Sequence, residues 1–267
     1  MIGAIIGDIV GSIYERAPIK TMDFPLFQPA CRFTDDTVLT VAVAGAIVFG
    51  QSYQQALQAL GRRYPHAGYG ASFSNWLTQD APRPYNSWGN GAAMRVSPVG
   101  WAFDTREQVL RQARLTAQIS HNHPEGVKGA QATALAVFLA RAGHDKASIK
   151  TQIADRFDYD LTRALDQIRP GYHFDVSCQG SVPEAIIAFL ESESFEDAIR
   201  RAVSLGGDSD TLACITGAMA EAFYGGVPKP VWATAQQRLT PDLMAIVNAF
   251  CSRFGCGRMR RPSNGFP

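Results

Sequence analysis

Two segments of this chain are apolar on nearly every side, and each opens with two aspartates and a threonine. They read "TDDTVLTVAVAGAIVFG" at residues 34–50 and "GDSDTLACITGAMAEAFYG" at residues 207–225. Apolar runs of this length are helices rather than strands, and a helix without a polar face has to be surrounded by protein. The first turn of each, with its acids, is therefore carried into the interior. A fold is required that wraps other helices around these two and tolerates carboxylates at their buried ends.

The rest of the chain supplies those helices. "SVPEAIIAFLES" places Ser181 three residues before Glu184, the pattern of a capping box. "SFEDAIRRAVSLGG" has Ser194 as N-cap, one apolar face and glycines at its end. "TPDLMAIVNAFCSRFG" starts with Thr240 as cap and Pro241 in the first turn. The only weak strand pattern is "GYHFDVS", residues 171–177, so the expected fold class is all-α, with ten or more helices and short loops. A Gly, Pro and Asn-rich stretch at about residues 80–100 is the expected site loop. In "GAIIGDIVGS", Gly3, Gly7 and Gly11 recur every fourth residue and leave one stripe of the first helix without side chains, open to a second helix backbone.

With 267 residues and 46% hydrophobic content, the chain can bury one large core. A single domain over residues 1–256 is expected, followed by a basic, frayed tail at 257–267. A net charge of +1 gives no field for nucleic acid or an anionic membrane. No apolar run reaches the roughly 20 residues of a membrane span. The apolar start lacks a basic leader and carries Asp8, so it reads as a core helix rather than a signal. Five scattered cysteines without a framework suit a reducing compartment, and the expected location is the cytoplasm.

Asp35 and Asp36 at one helix start, and Asp208 and Asp210 at the other, admit two readings. Acids cap free N–H groups and meet the positive end of the helix dipole. Yet capping needs one acceptor per end. Four buried carboxylates with Thr34 and Thr211 beside them exceed that need and repel one another without a cation. Such an all-oxygen set suits Mg²⁺ or Mn²⁺, as a single ion or a pair. Asp8 and Glu15, seven residues apart, fall roughly on one face of the first helix; Asp8 wants a buried partner, and Glu15 alone reads as a surface acid. "YNSWGNGAAMRVSPVG" (85–100) and "HAGYGASF" (66–73) are glycine loops whose backbone N–H groups suit a phosphate or form ordinary turns. "ISHNHPEG" (119–126) offers His121 as a hydrogen-bonding residue rather than a zinc ligand, with Pro124 starting a helix. These residues describe an all-α, carboxylate-metal hydrolase with a phosphate-bearing ligand.

The motifs "GAIIGDIVGSIYE", "FTDDTVLTVA", "GNGAAMR", "HNHPEG", "QGSVPEAIIAFLES" and "LGGDSDTLACITGAMAEAFYG" occur in the order found in the ADP-ribosylglycohydrolase family, which the chain resembles from residue 1 to about 226. The resemblance implies that family's all-α orthogonal bundle. It implies two divalent ions, held by Thr34, Asp35 and Asp36 on one side and Asp208, Asp210 and Thr211 on the other, with Asp210 the candidate bridge. Glu15 matches a gating glutamate that acts as acid or base, and Asp35, Asp210 and Glu15 become the catalytic candidates. Ser87, Trp88, Gly89, Asn90 and Gly91 match the loop near the diphosphate and distal ribose. Gly68 and Gly70 match a second glycine loop, which here is shorter in glycine than usual, and His121 matches a histidine near ADP-ribose. Tyr85, Trp88 and Tyr69 all stand open as the residue that stacks on adenine.

The activity implied is hydrolysis at the anomeric carbon of the distal ribose, releasing ADP-ribose from a protein side chain. Arginine is the first expected linkage, against serine, an acetyl ester or a nucleic-acid end. The expected partner is an ADP-ribosylated protein or ADP-ribose conjugate, and the chain is expected to act as a monomer. Rival readings are a metal-dependent phosphohydrolase of ADP-ribose-like nucleotides and a non-catalytic ADP-ribose reader.

Overall fold

Local chemistry sets several helix boundaries in the computed structural model, which describes residues 1–256; the basic tail expected at 257–267 lies outside the described residues. In chain order the helices are α1 (Ile2–Gly11), α2 (Asp35–Phe49), α3 (Tyr53–Arg63), α4 (Ala71–Thr78), α5 (Gly91–Met94), α6 (Ser97–Ala102), α7 (Arg106–Gln118), α8 (Pro124–Arg141), α9 (Lys146–Phe157), α10 (Leu165–Ile168), α11 (Cys178–Glu191), α12 (Phe195–Val203), α13 (Ser209–Phe223), α14 (Lys229–Gln236) and α15 (Pro241–Phe254). The fold is all-α. Thr34, Thr105, Asp145 and Ser194 each accept a first-turn backbone N–H at a helix start, satisfying donors that the helix itself leaves free. Gly50 and Gly255 end α2 and α15 in the left-handed conformation.

Two boundaries and one cap differ from the sequence reading. α11 starts at Cys178 because Ser177 caps it, accepting from the Gly180 N–H at 3.0 Å, so Ser181 and Glu184 lie inside the helix and form no capping box. α1 stops at Gly11, which leaves Glu15 in the irregular segment beyond it rather than on the helix. Thr240 does begin α15, but its hydroxyl donates to Asp242 rather than capping the backbone. The weak strand pattern at 171–177 stays outside any strand. It makes one isolated antiparallel bridge, Ser177 with Gly89.

The three helices α1, α2 and α13 form the centre. Every residue of α1 is buried, as is α2 from Asp36 to Ala46 and α13 from Ser209 to Ala222. α13 packs on α1, α8, α11 and α12, while α2 packs on α3 and α15. The glycine stripe of α1 explains the closest of these contacts. A β-carbon on Gly7 would lie 2.0 Å from the Ala213 carbonyl oxygen, one on Gly3 2.1 Å from that of Gly217, and one on Gly11 2.4 Å from that of Ser209. Gly217 faces back, its own β-carbon position 2.2 Å from the Gly3 oxygen. Backbone touches backbone along the pair, and the first turn of α13 is thereby seated against the end of α1 and the start of α2.

Candidate active site

The starts of α2 and α13 open on one cleft of about 570 Å³. The catalytic, metal and loop residues expected from the sequence all line it: Glu15; Thr34, Asp35 and Asp36; Gly68 and Gly70; Ser87 to Gly91; His121; and Asp208, Asp210 and Thr211. The floor is acidic. Asp36 and Asp210 are buried and join Asp8 of α1, each offering an oxygen within 4.8 Å of the others. Asp8 does not line the cleft, yet it holds the floor together. Its carboxylate accepts the Thr34 N–H at 2.9 Å, the Thr34 hydroxyl at 2.6 Å, the Thr37 N–H at 3.0 Å and the Thr37 hydroxyl. The capping task open to Asp35 and Asp36 thus falls to Thr34 and Asp8. Adjacent residues at a helix start point about 100° apart, so Asp36 turns inward to Asp8 and Asp210, while Asp35 turns toward Gly68.

The floor is cross-linked but not neutralised. The Thr211 hydroxyl donates to Asp36 Oδ2 at 3.3 Å, and Asn90 Nδ2 donates to Asp208 Oδ2 at 2.7 Å. Among the described residues no Lys or Arg is ion-paired to any of these five aspartates. Burial, with the neighbouring acids adding to it, pushes Asp35 up to about 8 and Asp36 and Asp210 well above the ordinary carboxylate range. Asp8 is raised to about 6 by burial against its hydrogen bonds, and Asp208 is raised for the same reason. Glu15, partly exposed at the cleft mouth, is raised by burial and then by Asp208. Asp36 Oδ1 is buried with no hydrogen-bond partner. An uncompensated all-oxygen cluster with an orphaned acceptor fits a hard divalent cation.

The opposite wall is built from loops. The segment before α5 is irregular through Asn90, as its Gly, Pro and Asn content predicts. Four of its amides are already committed: Tyr85 N–H donates to the Ser120 carbonyl at 3.2 Å, Asn86 N–H to Asn122 Oδ1 at 2.8 Å, Gly89 N–H to Ser87 Oγ at 3.1 Å and Asn90 N–H to the Val176 carbonyl at 2.8 Å. A phosphate cradle made of every amide in this loop is therefore not available. Gly70 precedes α4, whose first residues Ala71 to Phe73 line the cleft, so that helix start faces it instead. Gly68 takes a φ of 112°, a conformation that side chains rarely adopt. Gly91 lets the loop reach His121, since a β-carbon there would lie 3.0 Å from Nε2.

His121 is buried, and burial followed by the nearby Arg95 guanidinium holds its imidazole well below the usual histidine range. Pro124 does start α8, with His123 accepting the Glu125 N–H at 3.1 Å. Of the three aromatic candidates, Tyr85 and Trp88 line the cleft; Tyr69 turns away, its hydroxyl on the Gly61 carbonyl. Sequence reading missed Arg16, Arg32, Phe73, Arg95, Phe174 and Val176 in the lining. Phe174 and Val176 alternate with His173 and Asp175, and that weak strand-like pattern was the available signal.

Comparison with known proteins agrees with this architecture. A sequence profile of the ADP-ribosylglycohydrolase family matches residues 1–257. The chain belongs to the ADP-ribosylglycohydrolase family. Membership makes it an enzyme, a hydrolase acting on a glycosyl bond. Among its curated relatives are ADP-ribosylhydrolase ARH3 of Homo sapiens, 28% identical with 84% of each chain covered, and ADP-ribosylarginine hydrolase Tri1 of Pseudomonas putida, 26% identical over 91% of this chain and 76% of that one. A solved structure described as an ADP-ribosylglycohydrolase-related protein complex superposes with a TM-score of 0.70 at 24% identity, covering 93% of this chain and 95% of its own. That likeness shows that the ADP-ribosylglycohydrolase fold is shared.

Proposed function

We propose that this glycohydrolase releases ADP-ribose from arginine side chains with the help of divalent cations. The observation that carries the reading is the convergence of Asp35, Asp36, Asp208 and Asp210 on the cleft floor, with Asp8 behind them and no base ion-paired to any of the five among the described residues. Thr34, Asp35 and Asp36 on one side and Asp208, Asp210 and Thr211 on the other would hold two Mg²⁺ or Mn²⁺ ions, with Asp8 fixing the floor from behind. Bound there, the ions would neutralise the acids and polarise the ribose hydroxyls and the attacking water.

The chain's own groups supply the rest. The water oxygen bonds to the anomeric carbon of the distal ribose, the carbon–nitrogen bond breaks, and a proton returns to the leaving guanidine nitrogen. Glu15, with its raised carboxyl at the cleft mouth, is placed to hold and move that proton. The start of α4 and the Ser87–Gly91 loop bound the space for the diphosphate. Trp88, Phe174 and Val176, exposed at 46%, 51% and 42%, form an apolar lip beside that loop suited to an adenine ring. Arginine is supported by the relative named an ADP-ribosylarginine hydrolase and by Glu15 at the mouth, an acid that suits a cationic leaving group. Five free thiols suit a reducing compartment such as the cytoplasm.

The test is to incubate purified protein with arginine-linked and serine-linked ADP-ribosylated protein, with Mg²⁺, Mn²⁺ or chelator, and to identify products by mass spectrometry. Cation-dependent release of intact ADP-ribose from the arginine substrate is expected. Release only from the serine substrate overturns the linkage, and AMP with ribose phosphate as products would show a phosphohydrolase instead.

A further inference from the structure

Behind the phosphate-side wall lies a buried chain of polar groups that the mechanism above does not use. Arg95 is fully buried, its guanidinium carbon 5.7 Å from the centre of the Phe73 ring. Nη2 donates to the Thr116 carbonyl at 2.7 Å and to Ser120 Oγ at 2.9 Å, while Nε and Nη1 are buried with no partner. Ser120 Oγ lies 2.8 Å from His121 Nδ1. His121 Nε2 makes no hydrogen bond to the described protein residues and faces Gly89 and Gly91 in the cleft.

Counting protons leaves one consistent assignment. Guanidinium groups only donate, so Ser120 Oγ must accept from Arg95. Its single hydroxyl proton then has one acceptor in reach, His121 Nδ1. If Nδ1 carried the proton instead, Ser120 Oγ would accept twice, and its own buried proton would have no acceptor. With Nδ1 accepting, the ring proton sits on Nε2, toward the cleft. The buried positive charge of Arg95 also opposes a second charge on the ring. We propose that Arg95 and Ser120 lock His121 as a neutral imidazole protonated at Nε2, a positioned donor for an anionic phosphate oxygen of the ligand. The ligand half of this inference rests on the ADP-ribose reading of the cleft; the relay itself does not. Arg95 and Ser120 are positioning residues that act through His121, and the unpartnered guanidinium adds a positive field at the phosphate end.

The experiment separates the two halves. Nitrogen–proton correlation spectra of histidine-labelled protein, with the His121 signals identified by their loss in His121→Gln, report the tautomer without any ligand. Wild-type protein is expected to show neutral, Nε2-protonated His121 from about pH 5.5 to pH 8. Ser120→Ala should lose that signature, keep the helical circular dichroism, and bind ADP-ribose about tenfold more weakly by calorimetry. Ser120→Thr, which retains the hydroxyl, should restore both. An Nδ1-protonated or titrating His121, or a Ser120→Ala protein that keeps both tautomer and affinity, would overturn the relay; should no Ser120 variant fold, the wild-type spectrum still decides it. Wild-type protein that shows the tautomer but binds no ADP-ribose supports the relay and overturns the ligand reading.

Discussion

Asp36 Oδ1 and the Asp210 carboxylate occupy a place where a protein designed only for stability would put neither. Asp210→Asn keeps the shape and an acceptor for the Thr211 N–H, which lies 3.0 Å from Asp210 Oδ1, while removing one mutually repelling charge. Turnover should fall by about 10²–10³-fold. In chelator, melting should rise by about 2–4 °C, as removal of roughly 1 kcal/mol of repulsion implies for a chain of this size. A variant with full activity would remove Asp210 from the reaction. The pH dependence follows from the same acids. Their folded pKa values are raised, Asp8 to about 6 and Asp35 to about 8, so between the unfolded value and these the folded state binds more protons than the unfolded one. Stability contributed by these groups is present at low pH and is lost as pH rises through that window. Metal-free protein should therefore melt lower near about pH 8 than near about pH 5.5, and Mg²⁺ or Mn²⁺ should raise melting most at the higher pH. Thermal scans with and without chelator measure this; a metal-free melting point that climbs across the window would contradict the raised acids.

At the scale of elements, the α1–α13 contact decides whether the floor assembles. Gly7→Ala would drive a β-carbon into the Ala213 backbone, which cannot yield as a flexible side chain does. The cost should reach the upper end of overpacking, about 3 kcal/mol, or a melting drop of roughly 6–12 °C. Gly171→Ala, with open space around its β-carbon position, is the control and should shift melting little. Equal melting of the two variants in calorimetry would mean that the helices separate easily. This contact was legible beforehand, because three glycines every fourth residue weaken an apolar helix by a cost that a close backbone approach along the same stripe offsets. The start of α11 was not. Ser181 and Glu184 match a capping box as well as Ser177 matches a single cap, and only the bridge that ties Ser177 to Gly89 chooses between them. The same limit applied to Glu15: a helix periodicity carries no mark at Gly11, where the chain must turn because the first turn of α13 stands against it.

Across the whole molecule, one cleft joins the acids at the starts of α2 and α13, His121 and Arg95, and an apolar lip of Trp88, Phe174 and Val176. The acidic pole could be read from repeated Asp-Thr patterns, since those residues are local to helix starts. The apolar lip could not, because Trp88 and Phe174 lie 86 positions apart in "NSWGN" and "YHFDV" and are brought to one cleft by tertiary bonds such as Trp88–Cys178 and Asn90–Val176. This division of polar and apolar lining predicts a ligand that lies one way round, with its ribose at the acids and its base at the lip. Trp88→Ala and Phe174→Ala should each weaken ADP-ribose binding by about tenfold, the usual worth of a stacked ring, and leave the weaker binding of ribose 5-phosphate unchanged. Chelator should do the reverse, weakening ADP-ribose while sparing AMP. Calorimetry on the four combinations decides the orientation: if the ring variants weaken ribose 5-phosphate as much as ADP-ribose, the lip does not hold the base, and the exposed rings face the modified protein instead.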